Sequence, residues 1–126
     1  MAKRRVVITG LGVIAPNGIG KEKFWENIKN GKSGIKKITS FDTEIFPCKI
    51  AGEVTDFDPL NFLNTKEIKH MARFTQFSIA ASKMAIEDAA LDLGNENREK
   101  IGVVIGSSVG GLSYALEEID IFKKRG

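Results

Sequence analysis

Apolar residues fall into two kinds of run along this chain. At Val6-Val-Ile8 and again at Ile101-Gly-Val-Val-Ile105 they come without polar alternation, whereas between these runs they recur at helical spacing. β-Branched runs of that kind favour a pleated strand covered on both faces. Residues 4–9 therefore predict a first strand and residues 101–105 a later one. Each passes straight into a glycine turn, Gly10-Leu-Gly12 and Gly106-Ser-Ser-Val-Gly-Gly111. Two strands of one type, separated by a long helical stretch, predict parallel neighbours in one sheet joined by crossovers. Gly106, Gly110 and Gly111 permit backbone angles or close approaches that a Cβ would block, which leaves Ser107, Ser108 and Val109 displayed at the strand's carboxyl end. Ligands of open α/β sheets bind at that end. A tight strand-to-helix turn without a ligand uses the same residues.

Between the two runs the spacing predicts a short amphipathic helix over Lys21 to Asn30, with Phe24, Trp25 and Ile28 on one side and Gly31 as its stop. Residues 32–43 read as a loop-like connection, Cys48 to Val54 as a short, partly exposed strand, and Asp56-Phe-Asp-Pro59 as a turn. The longest regular piece is a helix from Thr65, its N-cap, to Leu93, with Gly94 as the stop. Ile68, Met71, Ala72, Thr75, Ile79, Ile86 and Ala89 line one face of it; Phe77, Ala80, Met84 and Leu91 line another. Only a narrow arc with Lys69, Arg73, Lys83 and Glu87 is polar. A helix apolar on two sides needs neighbours on two sides, more packing than one small sheet provides, so further protein is expected around it. Residues 95–100 read as a surface loop, and Leu112 to Lys124 as another helix with Tyr114, Leu116, Ile119 and Phe122 available to pack.

Length and composition narrow the class. The 126 residues sit in the range of one domain, and 42% hydrophobic residues suffice for a core. A net charge of +3 is too mild to argue for nucleic acid and tolerates an acidic protein partner. Eight phenylalanines against one tyrosine and one tryptophan point to core filling rather than base stacking. A single cysteine forms no internal disulfide, which fits a reducing compartment. No run of ~18 apolar residues calls for a membrane span, and the basic start reads as the beginning of a strand rather than a signal peptide.

Two motifs look like nucleotide sites. Gly10-Leu-Gly12-Val-Ile-Ala15 matches the Gly-x-Gly-x-x-Ala dinucleotide fingerprint, but Pro16, Gly18 and Gly20 would break the helix that must open in the turn. The region about twenty residues on, Lys29-Asn-Gly-Lys-Ser-Gly34, also lacks the acidic ribose partner. Ala15-Pro-Asn-Gly-Ile-Gly20-Lys21-Glu22 approaches a P-loop but ends in glutamate where the magnesium-binding hydroxyl belongs.

Several phrases taken together resemble one family. Arg4-Arg-Val-Val-Ile-Thr-Gly-Leu-Gly-Val-Ile-Ala-Pro-Asn-Gly18, Phe24-Trp25, Gly31-Lys-Ser-Gly-Ile35, Phe41-Asp42, Ala51-Gly52 and Gly106-Ser-Ser-Val-Gly-Gly111 follow the order and spacing of the β-ketoacyl-[acyl-carrier-protein] synthases, nearest the elongating type II enzyme. The resemblance implies an α/β, thiolase-like fold, of which this chain is the partial first half, with a mixed, largely parallel sheet and packed helices. It also implies an obligate homodimer in the cytoplasm, no cofactor, no nucleic acid and no membrane. The reaction it implies is a decarboxylative Claisen condensation of acyl and malonyl thioesters delivered by an acyl carrier protein. The family's nucleophilic cysteine lies a few dozen residues beyond the glycine loop and its two histidines far later, so neither Cys48 nor His70 matches them. The segment alone is expected to be inactive. Cys48 reads as a structural thiol with no activating partner, and His70 as a surface side chain.

By the same resemblance Val109 lines the inner end of the acyl pocket near the dimer interface, and Ser107 and Ser108 share its loop; the family commonly has glycine at the position of Ser108. Lys66, Lys69 and His70 match a cationic helix start that docks the acidic carrier protein, although a solvated helix end uses the same residues. A non-catalytic interaction module, such as a chain-length-factor-like subunit, is the alternative from a different class, and a dinucleotide-binding domain is the third.

Overall fold

A computed structural model describes residues 3–126. Its spine is a helix that starts later and stops earlier than the periodicity predicts. Asn64, not Thr65, is the N-cap: its side chain accepts from the amides of Lys66 and Glu67, and the Glu67 carboxylate accepts from the Asn64 amide at 2.9 Å. The helix so begun, Thr65–Lys69, lasts five residues. The chain then opens at Ala72, where ψ is 152°, and a second helix runs over Arg73–Asp88. We number the helices in chain order: α1 is Lys21–Lys29, α2 Thr65–Lys69, α3 Arg73–Asp88 and α4 Leu112–Arg125.

Met71, Ala72 and Arg73 are all good helix formers, so propensity alone would have carried one helix through the break. Tertiary contacts decide otherwise. The Arg73 guanidinium lies over the rings of Phe57 and Phe77, 5.3 and 5.1 Å from their centroids, and donates to the Val54 carbonyl at 3.2 Å. The freed Met71 carbonyl accepts from the Gln76 side-chain amide at 3.1 Å. At the other end the stop is not Gly94. Ala90 takes φ 49°, its N–H reaches the Glu87 carbonyl, and the Leu91 N–H reaches that of Ile86. This is a Schellman turn built on alanine in place of the usual glycine.

α3 does have neighbours on two sides, as its pattern requires. On one side lies the small core: Phe57, Leu63 and Ala80 are buried, and Phe57 stacks on Phe62 and meets Phe77 edge-on. Asp58 and Pro59 form the expected turn here, with the Asp58 carboxylate accepting from the Leu60 amide. On the other side the turn after the first apolar run passes over Ala81, Ala85 and Ala89, and Val103 and Ile105 share a groove with Phe74, Ser78, Ser82 and Ile86. Those are adjacent i, i+4 rows of one helix.

The strands differ from expectation. Among the described residues they form two antiparallel pairs, Ile14–Ala15 (β1) with Gly18–Ile19 (β2), and Ile35–Lys37 (β3) with Ile50–Gly52 (β4). β3 lies inside the stretch expected to be loop. The two apolar runs expected as parallel neighbours, residues 4–9 and 101–105, form no ladder with each other; Val6 is 93% and Val104 95% exposed. A parallel sheet needs cover on both faces, and here the runs have at most one helix beneath them. α4 forms as expected but buries no residue.

The surface shows how little of the fold is closed. A compact protein of this mass exposes ~6,600 Å², whereas this chain exposes 10501 Å². Burying Phe57 and Leu63 contributes about 1.5–3 kcal/mol each, against an ordering cost of ~1–2 kcal/mol for every residue fixed. The isolated chain should therefore self-associate and bind a hydrophobic dye. Sedimentation at several concentrations checks this, and a concentration-independent monomer with a sharp cooperative melt would contradict it.

One loop carries its own pH dependence. The Glu53 carboxylate, next to β4, accepts from the Ser40 hydroxyl and amide and from the Thr39 amide and hydroxyl, which together lower its pKa from 4.5 to about 2. A depressed carboxylate stabilises the fold fully above its unfolded pKa and loses that contribution as pH falls through the folded one. Between pH 4.5 and about 2 the 39–53 hairpin should loosen. Glu53→Gln should flatten that acid dependence, as read from amide exchange at Thr39 and Ser40.

Candidate functional site

The glycine loop leaves the second apolar run at Gly106, bends through Ser108 and Val109, and enters α4 at Gly111. Ser107, Ser108 and Val109 are exposed, Val109 at 69%. Gly110 takes φ 66°, a left-handed angle that penalises any residue with a Cβ. Gly111 is held by contact: a Cβ there would sit 2.4 Å from the Ala72 Cβ and 3.3 Å from the Phe74 ring. The loop is thus seated on the break between α2 and α3. Its two glycines signalled a close approach in the sequence, but nothing there named Ala72 and Phe74 as the surface approached.

α2 stands next to that seat. Lys66, Lys69 and His70 are exposed on it, with His70 as the C-cap. Lys66 and Lys69 in the last turn also complement the helix dipole, while the acidic side chain among them, Glu67, is turned back into the capping box. The structure therefore brings the glycine loop to Ala72, two residues beyond His70. Cys48 lies elsewhere, exposed just before β4, its thiol on the Ile50 carbonyl at 3.4 Å. Among the described residues no group of three His, Cys, Asp or Glu could hold a metal ion, and no helix is long and apolar enough to cross a membrane.

The first glycine turn has a structural use that displaces the dinucleotide reading. A Cβ on Gly10 would lie 2.1 Å from the Ala85 carbonyl oxygen, and one on Gly12 1.8 Å from that of Ala81. The turn opens into the β1–β2 hairpin rather than a helix, so it offers no helix N-terminus to a pyrophosphate. Beside it the Asp88 carboxylate pairs with Lys21 and accepts from the Leu11 amide at 2.9 Å. The hydrogen bond from Lys21 and then that from Leu11 lower the Asp88 pKa, and the Asp88 bond raises that of Lys21. The P-loop look-alike thus gives its lysine to Asp88. Sequence reasoning missed this lock because Lys21 and Asp88 are 67 residues apart.

Comparison with known proteins places this geometry. Residues 3–125 match the family model described as the β-ketoacyl synthase N-terminal domain. The chain belongs to that family. It is 44% identical over 120 residues to the 3-oxoacyl-[acyl-carrier-protein] synthase 2 of Coxiella burnetii, a match covering 95% of this chain and 29% of that protein. Against the protein of the same name from Synechocystis sp. it is 42% identical over 126 residues, covering 100% of this chain and 30% of the relative. The chain therefore spans less than a third of the length of these relatives.

Among solved structures, the ishigamide ketosynthase/chain length factor superposes with a TM-score of 0.74 at 35% identity, covering 95% of this chain and 31% of that one. AntDE:AntF, a type II PKS acyl-carrier protein in complex with its ketosynthase bound to the hexaketide, gives 0.68 at 32% identity, covering 91% of this chain and 26% of the other. These neighbours are consistent with the thiolase-like fold class, although among the described residues the sheet is limited to the two hairpins.

Gly12→Ala should destabilise the chain by about 1–3 kcal/mol, the usual cost of forcing extra atoms into a filled space. Faster amide exchange along residues 10–15 and 81–89 checks it; unchanged exchange would mean the turn does not rest on α3.

Proposed function

We propose that this chain is the N-terminal part of a 3-oxoacyl-[acyl-carrier-protein] synthase that elongates fatty acyl chains by decarboxylative Claisen condensation with a malonyl thioester. The observation that carries the reading is the likeness to two synthases of that name over 95% and 100% of the chain. The nucleophilic cysteine and both histidines come from polypeptide outside these 126 residues, so the chain alone does not condense. In the complete enzyme the acyl group sits on the cysteine sulfur. Loss of carbon dioxide from the malonyl thioester yields a carbanion that attacks the acyl carbon and expels the thiolate. The histidines assist the decarboxylation and stabilise the thioester oxyanion. Chemistry of this kind calls for no cofactor.

In this reading Val109 lines the inner end of the acyl tunnel at the interface of a homodimer, with Ser107 and Ser108 in the same loop. Lys66, Lys69 and His70 receive the acidic carrier protein, and the enzyme works in the cytoplasm. Exposure of all three cationic-patch residues beside the seat of the glycine loop supports that assignment. A carrier protein bound to its ketosynthase in one of the similar structures supports the partner. The similarity to a ketosynthase/chain length factor is the observation behind a second reading, a non-catalytic subunit of chain-length-factor type, to which the two synthase relatives give less support. An open frame downstream carrying the cysteine motif separates the two.

The deciding experiment joins this chain to a downstream synthase half that carries the cysteine, then assays condensation of acyl and malonyl carrier thioesters. Activity is expected only with both parts present. Lys66→Glu with Lys69→Glu should raise KM for the carrier protein roughly tenfold, by losing electrostatic steering, and leave kcat nearly unchanged. The difference should shrink at high salt. No condensation from a well-folded pair would sink the enzymatic reading.

A further inference from the structure

We infer that Phe74 is the positioning residue that sets where Val109 stands, by bracing the backbone of Gly110 and Gly111. The inference deepens the function proposed above and rests on it for the role of Val109. Phe74 is the second residue of α3, directly after the break on which the loop is seated. Its ring edge, at Cε1 and Cζ, lies 3.7 Å from the place of a Cβ on Gly110, and its Cε1 lies 3.3 Å from that place on Gly111. Neither glycine has a side chain with which to hold itself. Gly110, with its φ of 66°, is the pivot immediately after Val109. Whatever fixes that pivot fixes the valine.

Phe74 also lines the apolar groove of about 420 Å³ that contains Val103, Ile105 and, at the far end of α3, Ile86. One rigid side chain thus lines the groove shared with the run that feeds the loop and borders the two glycines that end it. Ala72 crowds the same side of Gly111, its Cβ 2.4 Å from the place of a Cβ there, so the ring and the methyl group together form the seat of the loop. Shortening Phe74 lets the glycines settle into the vacated space and draws Val109 back from the tunnel. Longer acyl groups then gain room. A functional group held by an unsupported loop drifts by about 1 Å, and an apolar pocket resolves a single methylene by roughly tenfold or more.

The test uses the complete synthase containing this chain, with Phe74→Leu, Phe74→Ala and the control Ile86→Val. We expect both Phe74 variants to shift the ratio of kcat/KM for longer over shorter acyl-carrier thioesters by about tenfold, with kcat for the preferred length retained and faster amide exchange at Ser108 to Gly111. Ile86→Val should leave the ratio unchanged. The leucine variant preserves most of the apolar volume, so it reports even if the alanine variant does not fold. A wild-type length profile, a uniform loss of kcat across lengths, or an equal shift from Ile86→Val overturns the proposal. Should the wild-type enzyme condense no acyl thioester, the functional reading fails instead. Exchange then judges the brace alone, and exchange in Phe74→Leu equal to wild type overturns it.

Discussion

The constraint on which this structure depends is the approach of bare backbone to α3. At Gly10 and Gly12 the chain comes so near the carbonyls of Ala85 and Ala81 that a single methyl group would occupy the space of the oxygen. At the N-terminal end of the same helix, Gly111 likewise comes too near the Ala72 side chain to admit a Cβ. Alanines on the helix and glycines on the loops are two halves of one arrangement, since small side chains on both partners let the backbones meet. Close packing of this kind leaves no slack, and the geometry of the loops follows the helix.

From that follows the division of labour around α3. Its first half carries aromatic residues that hold Phe57 and the Arg73 guanidinium, and its second half carries the alanine row under the first glycine turn. The break before it sets the direction of both. Had the helix continued unbroken from Thr65, Ala72 would not present its methyl group to Gly111, and α2 would not project its cations beside the glycine loop. The break is therefore the feature that brings the two parts of the candidate site together.

The uncovered surface has the same origin. Val6, Ile8, Val103 and Val104 belong to runs with strand composition, yet they remain open because a parallel sheet gains stability only when strands on either side and helices on both faces are present. α4, with Leu116 and Phe122 exposed, is in the same position. Relatives more than three times as long share this portion of sequence over nearly all of its length. These apolar faces read as surfaces built to be covered.

Much of this was legible in the order of residues. Local chemistry settled α1, α4, the Asp58–Pro59 turn and the requirement that the long helix be packed on two sides, since each rests on spacing or on neighbours a few positions apart. The order of six short phrases indicated the family. What the sequence did not disclose were pairings between distant positions. These include the split of one periodic stretch into α2 and α3, the antiparallel partner of β3, the Lys21–Asp88 lock and the seat of Gly111 on Ala72 and Phe74. A glycine announces that something will come close. Only the folded chain decides what, because the cost of the approach is shared between residues that nothing in their local sequence connects.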